Sequence, residues 1–250
     1  MSRLVEKLHL LTIPSQAIGF RSSGTSQAPS LLMLAAFGKV AEASKALVSG
    51  VDGIVVPAQE LLIASASKLK EAAGDVPIGA GLGPGDSSDS EKVATLISGG
   101  CDFIFFDATT SLEFFSSAAS AEELGRFITI DSQFPASLIP TLDDLPVDGV
   151  VIQATKAGVD ISYLLLCQLV CRLVDRPLIA SVPVTDQGAE LRYLWDAGID
   201  AVVTTLDSAD RLKQLREVSK SLGKAKRHET KKTPIVPHLA GEVYADEEEE

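Results

Sequence analysis

Histidine, cysteine and basic residues are all scarce in this sequence, and each shortage excludes a class of function. The three histidines, His9, His228 and His238, all lie in the terminal segments. The interior of the chain therefore lacks the usual general base and the usual transition-metal ligand. Three cysteines, Cys101, Cys167 and Cys171, form neither a disulfide framework nor a zinc pattern. Cys167 and Cys171 are four residues apart in an apolar helical run, and they read as core filler on one face. Lys and Arg number 22 against 34 Asp and Glu, a formal net charge of −12. A nucleic-acid backbone needs a basic face, so nucleic-acid binding is excluded. No apolar run reaches membrane-spanning length, and 1-MSRLVEKLHLLTIPSQAIGF-20 is too interrupted for a signal peptide. A cytoplasmic location is the expectation.

What is abundant is aliphatic sequence in short runs. Eight runs read as strands: 31–37, 53–57, 77–81, 102–107, 127–131, 149–154, 178–183 and 201–206. Helical patterns such as 39–50, 59–74 and 160–174 lie between them. Near-continuous apolar strands alternating with helices indicate a parallel sheet covered by helices, and eight such units predict a single (β/α)8 barrel of the α/β class. An internal repeat supports this. The even strands open alike, at 51-VDGIVV-56, 101-CDFIFF-106, 147-VDGVVI-152 and 199-IDAVVT-204. Their aspartates, Asp52, Asp102, Asp148 and Asp200, recur about every fifty residues, two βα units at a time. At strand starts they occupy the stability face and read as structural.

The barrel is expected over 31–223, with an N-terminal extension over 1–30 and a charged tail over 224–250. The extension, which contains no helix of useful length by its pattern, is expected to cover the barrel bottom or to reach a partner subunit. The tail is basic, then punctuated by proline, then acidic, which predicts an extended or disordered segment. Its apolar island 234-PIVPHLAGEVY-244 makes residues 234–250 a candidate contact for a protein partner or a second copy.

Chemistry in a barrel belongs at the strand C-termini and the loops that follow. The Gly-rich loop after the third strand, including Gly83, reads either as an anion cradle or as a flexible lid or plain turn. Asp107 and Asp131 end neighbouring strands; they read either as a carboxylate pair able to hold Mg²⁺ or as helix N-caps. Lys156 follows the sixth strand and reads as an exposed or anion-pairing group or as an imine-forming lysine. Lys156 and Asp131 are the candidate catalytic residues. Gln153, Gln187, Gly188, Thr204, Thr205 and Gly83 are the candidate ligand-binding residues, around a small anionic ligand.

The stretches 153-QATKAGVD-160, 177-PLIASVPV-184 and 199-IDAVVTTL-206 resemble the last third of FMN-dependent nitronate monooxygenases and related flavin barrels. The resemblance implies Q-G-x-E-A-G-G-H, P-V-I-A-A-G-G-I and A-D-G-V-x-M-G-T at these places. Gln153, Ala157 and Gly158 match it. The paired glycines that approach the FMN phosphate fall on Val182 and Pro183, the glycine of the last strand on Thr205, and the catalytic histidine on Asp160. Proline has no N–H to donate, and valine resists glycine conformations. No bound cofactor and no metal are therefore expected. Three readings stand: a divergent barrel binding a small anionic ligand, a non-catalytic barrel that assembles through its tail, and a degenerate flavin-dependent oxidoreductase.

Overall fold

The computed structural model describes residues 1–12, 31–47, 50–62, 66–83, 91–154, 158–182, 188–205 and 209–222. Eight parallel strands close into a barrel in sequence order. They are β1 (Leu32–Ala36), β2 (Gly53–Pro57), β3 (Ile78–Gly81) and β4 (Phe103–Asp107), followed by β5 (Gly125–Ile130), β6 (Gly149–Gln153), β7 (Leu178–Val182) and β8 (Ala201–Thr205). Around them lie α2 (Val40–Leu47), α3 (Ala58–Leu62), α4 (Ala66–Ala73) and α5 (Glu91–Ser98). The outer layer continues with α6 (Leu112–Ala119), a 3₁₀ helix (Ala136–Asp144), α7 (Ile161–Leu173), α8 (Gly188–Asp196) and α9 (Ala209–Ser221). All eight predicted strands are present, most within a residue or two of their expected bounds. The expected helix over 59–74 is described as two pieces, α3 and α4.

Alternation along the strands divides the core in two. Leu31, Met33, Ile54, Ile104, Ile128, Ile152 and Val202 pack between barrel and helices. Leu32, Leu34, Val55, Phe103, Phe105, Phe127, Val151, Ile179 and Val203 fill the interior. Three of these are the rings of Phe103, Phe105 and Phe127, with centroids 5.2 to 5.9 Å apart. Glycines on adjacent strands make room for them. A Cβ on Gly79 would run into the Phe103 ring, and one on Gly149 would meet Phe127 at 2.8 Å. Gly100 and Gly198, at φ 87° and 92°, end α5 and α8. Their amides donate to Ile97 and Trp195, while the next amides reach back to Leu96 and Leu194, so both helices close in the same left-handed turn.

The N-terminal extension departs from expectation, since it begins with a ten-residue helix, α1 (Arg3–Thr12). So short a helix is marginal in isolation. Here Leu4, Val5 and Leu8 pack under the interior residues as the barrel floor, and Asp102 holds the helix start. Its carboxylate accepts from Arg3 N at 2.9 Å, Leu4 N at 3.0 Å and Ser2 Oγ at 2.7 Å. The bottom is thus covered by α1, one of the two roles expected for the extension.

The other three repeat aspartates clamp strands. Asp148 donates its amide to the Arg126 carbonyl and accepts from the Arg126 amide at 2.8 Å. Asp52 does the same with Met33, and Asp200 with Leu178. Asp102 keeps the backbone half of this clamp, to Ile78, but turns its carboxylate to α1.

Candidate functional site

With the bottom closed by α1, the described residues leave the C-terminal mouth as the end where barrel interior meets solvent. The last inward-facing residue of each strand forms its rim. On β1 to β3 these are Ala36, Pro57 and Gly81, small and half-buried. On β4 to β8 they are Asp107, Thr129, Gln153, Ser181 and Thr205, every one polar. Strand register sets Asp107 beside Thr129, Gln153 beside Ser181, and Thr205 beside Ala36. Beneath them Phe105, Phe127, Val151 and Val203 form an apolar floor. The rim is a crescent of hydroxyl, amide and carboxylate groups facing a wall with almost no side chain.

The predicted residues that the structure describes each have a definite place. Gln153 and Thr205 end their strands, exposed and turned to the mouth. Thr204 is one residue out of phase; it faces the helices with Val202, is buried, and its Oγ1 has no hydrogen-bond partner among the described residues. Gly83 is half-buried two residues past β3, and Gly188 is the first residue of α8. Lys156, Gln187 and the proposed cap 88-SDSE-91, apart from Glu91, lie outside the described residues.

Asp107 and Asp131 are not helix caps, contrary to one reading of the sequence. Asp107 Oδ1 accepts from the Thr109 amide at 2.8 Å and from the Thr109 hydroxyl. Asp131 Oδ1 accepts from the Gln133 amide at 2.8 Å. Both are Asx turns, in which a short carboxylate folds onto the amide two residues on. The cap of α6 is Ser111, and Pro135 precedes the 3₁₀ helix. No group of three or more His, Cys, Asp or Glu among the described residues is placed to hold a metal ion.

The positions that depart from the flavin-barrel pattern have structural work. Asp160, where the resemblance implies a catalytic histidine, is the N-cap of α7 and accepts from Tyr163 N at 2.8 Å. The Tyr163 hydroxyl donates to the Ile152 carbonyl at 2.7 Å, fixing α7 to β6. Val182 points outward and is buried between the barrel and its helices. Burial pushes the Cys101 and Cys167 thiols up to about 12, so neither is a poised nucleophile.

Sequence reading missed Thr129 and Ser181 because they lie inside strands and not after them. The period-two pattern carries them: in 125-GRFITI-130 and 178-LIASV-182 each is a polar residue in phase with buried Phe127 or Ile179.

No protein-family model matches the sequence, and comparison with curated proteins gives no match. Solved structures share the fold. Orotidine 5'-phosphate decarboxylase from Pyrococcus horikoshii OT3 aligns at TM-score 0.60 and 15% identity, covering 76% of this chain and 100% of that one. 3-Hexulose-6-phosphate synthase from Salmonella typhimurium aligns at 0.60 and 13%, covering 76% and 98%. A chain of the tryptophan synthase complex from Pyrococcus furiosus aligns at 0.61 and 12%, covering 76% and 98%. The chain is a (β/α)8 barrel, a fold shared by several enzyme families, and the likeness is not specific to flavin-dependent monooxygenases. Among the described residues no helix is long and apolar enough to cross a membrane.

Proposed function

We propose that this chain is a divergent barrel that binds a small phosphorylated, hydroxyl-bearing ligand at its mouth. The observation that carries the reading is the polarity of the rim over a barrel whose opposite end is closed: five consecutive strands, β4 to β8, end in polar inward side chains. Hydroxyl and amide groups both donate and accept, as ligand hydroxyls require, and Asp107 accepts from them. The anionic end of the ligand belongs on the β6 to β8 side, away from Asp107, where Lys156 supplies charge. Gln187 and Gly188 supply donors at the start of α8, and Gly83 a backbone amide across the mouth. Two of the similar barrels are named for phosphorylated compounds, which favours this ligand class without fixing the compound. Asp131 and Lys156 are the candidate groups for any catalysis.

Binding to the folded state alone raises stability by mass action. Sugar phosphates are expected to raise the thermal midpoint of the wild type, and Lys156→Ala to abolish the gain while leaving the unliganded midpoint unchanged. Equal gains in both proteins would rule out Lys156 as the anion contact. Borohydride trapping with carbonyl compounds separately tests an imine at Lys156. The degenerate flavin reading loses support from Pro183, which has no N–H to donate where the resemblance implies a glycine. Purified protein is expected to be colourless, and stoichiometric FMN absorbance would restore that reading. The assembly reading places a partner on residues 234–250, and it becomes the default if no phosphorylated compound binds.

A further inference from the structure

Helix α7 carries an apolar stripe on the side away from the barrel. Its inner face is Tyr163, Cys167 and Val170, all buried. On the outer side Ile161, Leu165, Leu169 and Leu173 recur every four residues, with exposures of 76%, 59%, 38% and 38%. A surface helix normally turns charge to water there. α7 contains no Asp or Glu, and its one charged residue is Arg172. α9, of the same length and also on the outer layer, reads ADRLKQLREVSKS. The elements that contact α7 add to the apolar exposure, with Leu138 and Leu145 from the 3₁₀ helix segment and its end, and Tyr193 from α8. Together these side chains expose on the order of 600 Å² of apolar surface, the upper end of what a monomer leaves bare. A standard interface covers about 800 Å² per partner, little more than half of it apolar, so the patch suffices for one.

We propose that a second copy of this chain docks on this face, with the two α7 helices antiparallel across a two-fold axis. The exposed area is what a stable dimer needs, and charge selects this face and this orientation. Copies carrying a net charge of −12 repel each other over most of their surfaces, whereas α7 itself carries no acidic side chain, the exposed Asp144 and Asp196 belonging to the 3₁₀ helix and α8. Antiparallel packing brings Leu165 of one copy against Leu169 of the other, and Ile161 against Leu173. It also sets Arg172, in the last turn, near the other copy's Asp160 at the helix start, and opposes the helix dipoles. An anionic bilayer would be repelled by the same net charge.

The test is the mass of the full chain in solution by analytical ultracentrifugation at micromolar concentration. The wild type is expected at twice its 26.3 kDa. Leu165→Glu/Leu169→Glu is expected at the monomer mass, with dimer affinity lower by about 100-fold or more. Circular dichroism and the thermal midpoint check that this variant folds, and Ile161→Lys, at the most exposed position of the stripe, gives a second reading if it does not. A monomeric wild type overturns the proposal, as does a dimer that survives both substitutions. Truncation after Gly223 is expected to leave the dimer intact; loss of the dimer on truncation alone would transfer the contact to the tail.

Discussion

Asp102 differs from its three repeat partners in one way: its carboxylate serves α1 and not a strand amide. It accepts two helix-start amides and the Ser2 hydroxyl in a buried setting. Removing it leaves those donors unpaired, at about 2 to 4 kcal/mol. Asp102→Ala is expected to cost that much by urea unfolding, and far less in a chain that already lacks residues 1–12. Equal costs in the two backgrounds would show that Asp102 acts on the strands instead. Lys7 offers a check by pH. Burial lowers its pKa below the ordinary 10.5, while its Nζ donates to the Asp52 carbonyl at 2.9 Å. The unfolded chain therefore holds this proton to higher pH than the folded one. Charged Lys7 is a cost below the lowered folded value, and the cost is relieved as pH rises from there to 10.5. Relative to Lys7→Met, the wild type is expected to gain stability through that window, measured as a difference in unfolding free energy. A constant difference would mean that Lys7 stays well solvated.

The elements were legible in the sequence where a single period dominates. Eight apolar runs and four repeat aspartates announce the strands and their order, because parallel strands buried on both faces admit few polar residues. α1 was not legible, since ten residues with one polar turn look like any surface segment until a barrel floor and a capping carboxylate stand opposite them. The rim was half legible. Gln153 and Thr205 were visible as strand ends, whereas Thr129 and Ser181 required the inward phase, and Thr204 shows the error of one residue that phase corrects. Asp107 and Asp131 were visible as residues but not as Asx turns, because a cap and a turn use the same side chain on neighbouring amides. The floor carries its own prediction. Leu8 is fully buried beneath the barrel, so Leu8→Ala is expected to cost about 2 to 4 kcal/mol. An unchanged denaturation midpoint would contradict the plug.

At the scale of the whole molecule, the described residues give the barrel a closed end, a polar mouth and an apolar flank. We propose from composition alone that residues 224–250, charged and punctuated by proline, are not needed for folding. Truncation after Gly223 is accordingly expected to leave the thermal midpoint nearly unchanged, and a large drop would mean that the tail packs on the barrel. The mouth is proposed as a binding site for a phosphorylated ligand. Isothermal titration of the full chain with sugar phosphates and their unphosphorylated parents tests it most directly, with Gln153→Ala/Thr205→Val run beside the wild type. Saturable binding of a sugar phosphate by the wild type is expected. Affinity is expected to fall about 10-fold or more both for the parent sugar and for the double variant, since each loses paired polar contacts. No saturable binding of any phosphorylated compound, or binding that the double variant retains in full, would contradict it.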